Sequence, residues 1–112
     1  DAQNEHHLDP SHHVYLWGAR ALIVAALAQT PDNAAVLDSM GWVLFRQGRL
    51  PEALEYLQRA DALGDDAEID LHLGEVQWAL GDRDAARATW QRALEAYPND
   101  ARLRERLERA QP

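Results

Sequence analysis

Four histidines stand close together at His6, His7, His12 and His13, and imidazoles are ready zinc ligands. A metal site, however, needs three or four ligands held in a fixed geometry. Adjacent histidines point in different directions on a helix or an extended chain, so residues 1–10 read as a mobile, solvated segment with no metal site. His72 reads as a surface residue. The acid pair Asp65–Asp66 sits where a helix should start, and capping accounts for it without catalysis. No nucleophile, base and orienting group fall at a recognisable spacing, so no catalytic residue and no cofactor are expected. A phosphate-cradling G-x-x-x-x-G-K-[ST] loop would need lysine, and the chain has none. With no cysteine either, disulfide scaffolds and cysteine zinc sites are excluded.

Charge narrows the partners. The net charge is −8 and the pI about 4.9, opposite in sign to the basic stripe of a nucleic-acid binder. The most apolar stretch, residues 14–28 ("VYLWGARALIVAALA"), is shorter than the ~20 residues that span a bilayer. It also carries Arg20, so it reads as a buried helix and not as a membrane span. The chain opens on Asp1 and not on methionine, as a processed or excised piece would.

The elements that must position any site repeat themselves. Gly41 and Gly74 are 33 residues apart (74 − 41), as are Gly48 and Gly81 (81 − 48). The same offset relates Ala53 to Ala86, Leu57 to Trp90 and Ala60 to Ala93, and "LQRA" answers "WQRA". Such a period marks a solenoid of supersecondary units. Each unit reads as two helices: 34–47 and 51–63, then 67–80 and 84–97. Gly48 and Gly81 fall just past helix ends, where a left-handed residue is common. Pro51 suits a first helical position. Asp32, Asn33, Asp65, Asp66, Asn99 and Asp100 supply capping oxygens, and Ser11 could cap a helix over 14–29. Strand patterning is absent.

The combination Leu37, Met40-Gly41, Leu44, Ala53, Leu57 and Ala60, echoed by Leu73-Gly74, Ala86, Trp90, Ala93 and Pro98, resembles the tetratricopeptide repeat. Asp70, Gln77 and Asp65 depart from that pattern. Physically, Gly41 and Gly74 thin the first helix where the second crosses it, which offsets the ~1 kcal/mol that glycine costs in a helix. The resemblance implies an all-α solenoid of antiparallel helix pairs. Residues 1–10 precede it, 11–33 form the second helix of an incomplete repeat, 34–66 and 67–100 form two full repeats, and 101–112 form a capping helix. It also implies a concave groove holding a peptide or protein segment. Groove positions fall at Asp38, Trp42, Phe45 and Arg46 in the first repeat and at Leu71, Glu75, Trp78 and Ala79 in the second. Aromatic and arginine residues are usual interface anchors. The family's lysine/asparagine clamp for chaperone C-termini is missing, with Asp38 and Trp42 at two of its places. A segment with an apolar anchor and a basic residue meeting Asp38 and Glu75 fits better.

The ends differ. "DARLRERLERA" places Leu103, Leu107 and Ala110 on a narrow stripe of a charged helix, as a solvating cap should. At the other end Val14, Leu16, Trp17 and Ile23 belong to a helix with little to face water. Upstream repeats are the expected cover, and self-association into a homo-oligomer is the alternative. The sequence thus implies a non-enzymatic interaction scaffold. It resembles the terminal repeats of bacterial envelope tetratricopeptide proteins in assembly, secretion or proteolysis complexes, and that resemblance alone favours the periplasm or envelope over the cytoplasm.

Overall fold

A computed structural model describes residues 10–64 and 66–111 of the chain, with side chains from residue 18 onward. The described residues form six helices and no strand: α1 (Pro10–Gln29), α2 (Ala34–Arg46), α3 (Leu50–Leu63), α4 (Ala67–Ala79), α5 (Arg83–Ala96) and α6 (Ala101–Arg109). α2 packs against α3 and α4 against α5 as two hairpins, α1 lies against α2, and α6 lies against α5 and α4. The fold is the all-α solenoid of helix pairs that the 33-residue period implies.

Helix starts follow from short polar side chains. Asn33 accepts the Val36 N–H at 3.0 Å, Asp66 accepts those of Glu68 and Ile69, and Asp100 those of Arg102 and Leu103. Each satisfies donors that the first turn leaves orphaned, worth about 1 kcal/mol. Asp82 does the same for Ala85 and was not among the expected caps. α3 begins at Leu50, one residue before Pro51, with no side-chain cap. An Arg49–Glu52 pair at 2.7 Å braces that turn instead. α1 starts at Pro10, so Ser11 lies inside the helix and not at the position before it.

Helix ends repeat one device. Gly48 and Gly81 have φ of +80° and +92°. Around Gly48, its own N–H donates to the Phe45 carbonyl and the Arg49 N–H to that of Leu44. Around Gly81, its N–H donates to Trp78 and the Asp82 N–H to Gln77. Both are Schellman closures, which require a left-handed residue at that place.

The hairpins close where side chains are missing. A Cβ on Gly41 would lie 2.6 Å from Leu57 Cγ, and one on Gly74 would overlap the indole of Trp90. Met40, Leu44, Ala53, Leu57, Leu73 and Val76 form one core cluster across the two hairpins. Leu71, Ala86, Trp90, Ala93, Leu103 and Ala110 form another that seats α6. Leu107 is half-buried beside it, completing the apolar stripe of a helix whose other side is charged.

α1 departs from the expected buried helix. Ile23 and Leu27 pack on the core, whereas Leu22 is 75% exposed and Val24 50% exposed. α2 is the main neighbour of α1 and covers one face of it. The readings of residues 1–9, and of the side chains of His12, His13, Val14, Leu16 and Trp17, lie outside the described residues. No described helix is long and apolar enough to cross a membrane.

Candidate partner-binding groove

α2 and α4, the first helices of the two hairpins, run side by side, and α6 continues the row. Helical spacing puts Asp38, Trp42, Phe45 and Arg46 on one face of α2, and Glu68, His72, Glu75 and Ala79 on one stripe of α4. Two clefts flank that stripe. One, of about 280 Å³, is lined by Ala19 and Ile23 of α1, Asp38 and Trp42 of α2, and Glu68 and His72 of α4. The other, of about 330 Å³, lies among Glu75, Trp78, Trp90, Arg106 and Arg109.

The first cleft is built around a residue that sequence reasoning put on the surface. His72 is half-buried, and its Nδ1 lies 2.7 Å from Asp38 Oδ1. Its ring stacks on Trp42 with centroids 4.0 Å apart and planes at 22°. Phe45 stacks on the same indole at 4.8 Å and 24°. Trp42 therefore already carries two rings, and its remaining exposed surface is what a partner could reach. The available signal was the i, i+4 pair Glu68–His72, which shares one side of α4.

The second cleft is also braced internally. Arg106 donates to Glu75 across α6 and α4. Trp78 stacks on Trp90 at 6.1 Å, and the Arg83 guanidinium sits 4.7 Å from the Trp78 ring. Asp38 and Glu75, expected to meet a basic residue of a partner, are thus each paired within the chain. The cause is the seam between successive first helices, which brings His72 to Asp38 and Arg106 to Glu75. That seam also takes Leu71, expected in the groove. Leu71 is 5% exposed, packed with Trp90 and Leu103, and offers no surface to a partner. Phe45 and Trp78 are half-buried; Ala79 and Arg46 are exposed. Arg46 makes no ion pair among the described residues.

Close by, Asp100 caps α6 while its carboxylate accepts from Arg102 at 3.1 Å. The Arg102 hydrogen bond holds the Asp100 carboxyl below the usual range, and Asp100 in turn raises the guanidinium.

A family model described as tetratricopeptide repeat matches residues 44–109, and a second of the same description matches residues 18–68. The first alone covers more than half of the chain. The chain belongs to the tetratricopeptide repeat family. Among curated proteins, the TPR repeat-containing protein PA4667 of Pseudomonas aeruginosa is 49% identical over 57 residues, which is 51% of this chain and 10% of that protein. Among solved structures, TTC0263, a thermophilic TPR protein of Thermus thermophilus, aligns with a TM-score of 0.82 at 33% identity. The alignment covers 88% of this chain and 50% of that one. The first TPR of Spaghetti (RPAP3), bound to the HSP90 peptide SRMEEVD, aligns with a TM-score of 0.81 at 19% identity. It covers 88% of this chain and 81% of that one, a likeness of fold alone. This tetratricopeptide chain spans a tenth of its Pseudomonas relative and half of its Thermus one.

Proposed function

We propose that the chain is a non-enzymatic interaction module that takes a peptide or protein segment along the α2–α4 face, as a scaffold in a bacterial assembly, secretion or proteolysis complex. The observation that carries this reading is the pair of clefts flanking one stripe of α4, lined with aromatic and charged side chains. Half-buried rings beside exposed arginine are what hot spots are made of. Because Asp38 and Glu75 are occupied within the chain, the groups left for a partner on α2 are Trp42, which lines the first cleft, and Phe45 and Arg46 on the same helix face. A segment presenting an apolar anchor beside a carboxylate fits them. The first TPR of RPAP3, a protein that shares this fold, is bound to the HSP90 peptide SRMEEVD.

The test is capture of bacterial proteins on the immobilised chain, compared with Phe45→Ala/Arg46→Glu. Arg46 is exposed and Phe45 lies at the edge of the core, so folding is checked by circular dichroism. Loss of specific capture with the helix signal retained supports the reading; equal capture ends it.

A second reading, self-assembly through α1, is favoured by the exposure of Leu22 and Val24. Ile23, expected in that interface, faces the chain's own core, so Leu22 and Val24 replace it. Sedimentation velocity of the chain and of Leu22→Glu/Val24→Glu separates the readings: a monomer at high concentration removes self-assembly and leaves groove binding untouched.

A further inference from the structure

We propose that Asp38, Glu68 and His72 form a binding site for a divalent first-row transition-metal ion, with Zn²⁺ the best fit. One ligand atom from each of the three lies within 4.8 Å of the others. Bonds of about 2.0–2.2 Å from a common zinc to nitrogen and oxygen ligands place those ligands some 3–4 Å apart. Asp38 Oδ1 and His72 Nδ1 are in hydrogen-bond contact at 2.7 Å, and a cation between them replaces that hydrogen bond with a small opening of the contact. Glu68 supplies the remaining adjustment. It is exposed, and its nearest cation is Arg102, whose Nη1 stands 3.8 Å away across water-accessible surface.

The ligands are unequal in freedom, and that favours binding. The Asp38 and His72 side chains keep 11% and 19% of their exposure, and stacking on Trp42 fixes the imidazole. Pre-oriented ligands lose little freedom when an ion arrives. Two carboxylates and a neutral imidazole balance a divalent charge. A mixed nitrogen and oxygen set suits zinc, cobalt or manganese better than the all-oxygen shells of calcium or magnesium. The cleft of about 280 Å³ that the three residues line leaves room for water to complete the shell. Because Asp38 is on α2 and both other ligands are on α4, the bound ion ties the two hairpins together. The site lies in the first of the two clefts, but binding of the ion does not depend on the partner-binding reading.

The experiment is calorimetric titration with Zn²⁺ of the full chain carrying His6→Ala, His7→Ala, His12→Ala and His13→Ala, which removes the competing terminal imidazoles. A single Zn²⁺ per chain is expected, with a rise in Tm at saturation. On that background Glu68→Gln and His72→Gln each weaken binding by at least about tenfold. Cobalt substitution adds a visible spectrum that disappears with His72→Gln. Glu68 is on the surface, so its variant keeps the fold even if the His72 variant loosens α4. No uptake on the four-alanine background overturns the site, as does uptake left unchanged by Glu68→Gln and His72→Gln.

Discussion

Gly41 and Gly74 occupy the same place in their hairpins but face different obstacles. Opposite Gly41 is Leu57, a flexible side chain; opposite Gly74 is the flat, buried indole of Trp90, whose Nε1 donates to the Leu71 carbonyl at 3.4 Å. Alanine at either site gains about 1 kcal/mol of helix propensity. It then incurs overpacking of about 1–3 kcal/mol. Urea midpoints should therefore fall for both variants, and further for Gly74→Ala, because an indole cannot step aside as a leucine rotamer can. The 33-residue offset made this pairing legible, since a mid-helix glycine that recurs one repeat later marks a place where two helices must come close. The Asp38–His72 contact was not legible. It depends on how far α4 is rotated against α2, and a repeat length does not encode that angle. His72→Ala leaves the buried Asp38 carboxylate without the His72 contact, so a loss of about 1–3 kcal/mol is expected in the same measurement.

At the scale of elements, the chain stops and starts its helices with one vocabulary, and that vocabulary can be read without coordinates. Glycine at the left-handed position and Asn or Asp before the next helix are both local requirements of the backbone. Gly48→Ala and Gly81→Ala should each cost roughly 1 kcal/mol, because nothing crowds their Cβ positions and only the positive φ is at stake. The Asp100 cap adds a pH dependence. Its folded pKa lies below the ordinary carboxylate value of ~3.9, so its contribution is complete above that value. The contribution is lost as pH falls through the lower, folded-state pKa. Carbon-detected titration of the Asp100 carboxyl should show the depressed midpoint, and Arg102→Ala should move it upward, since the Arg102 hydrogen bond is the largest cause of the shift. What local vocabulary missed at this scale was the face of α1. Its apolar composition suggested burial on all sides, but burial depends on how many neighbours pack against the helix.

For the whole molecule, stability passes from hairpin to hairpin through nearest-neighbour interfaces, so the two ends need not be equally firm. At one end α6 is seated by Leu103, which is fully buried, and tied by Arg106 to Glu75 and by Arg87 to the Ala110 carbonyl. At the other, α1 contributes Ile23 and Leu27 to the core and leaves Leu22 and Val24 in water. Amide exchange should reflect that asymmetry. Protection should be greatest in α2 to α5, intermediate in α6 and least in α1, where Leu22 and Val24 are exposed already. Concentration then decides what the exposed face of α1 does. If copies associate through it, α1 amides gain protection as concentration rises, and Leu22→Glu/Val24→Glu abolishes that gain while leaving α2 to α5 unchanged. If exchange in α1 is independent of concentration and of these substitutions, the apolar face does not join copies of this chain. The proposed groove on α2 and α4 does not depend on that outcome.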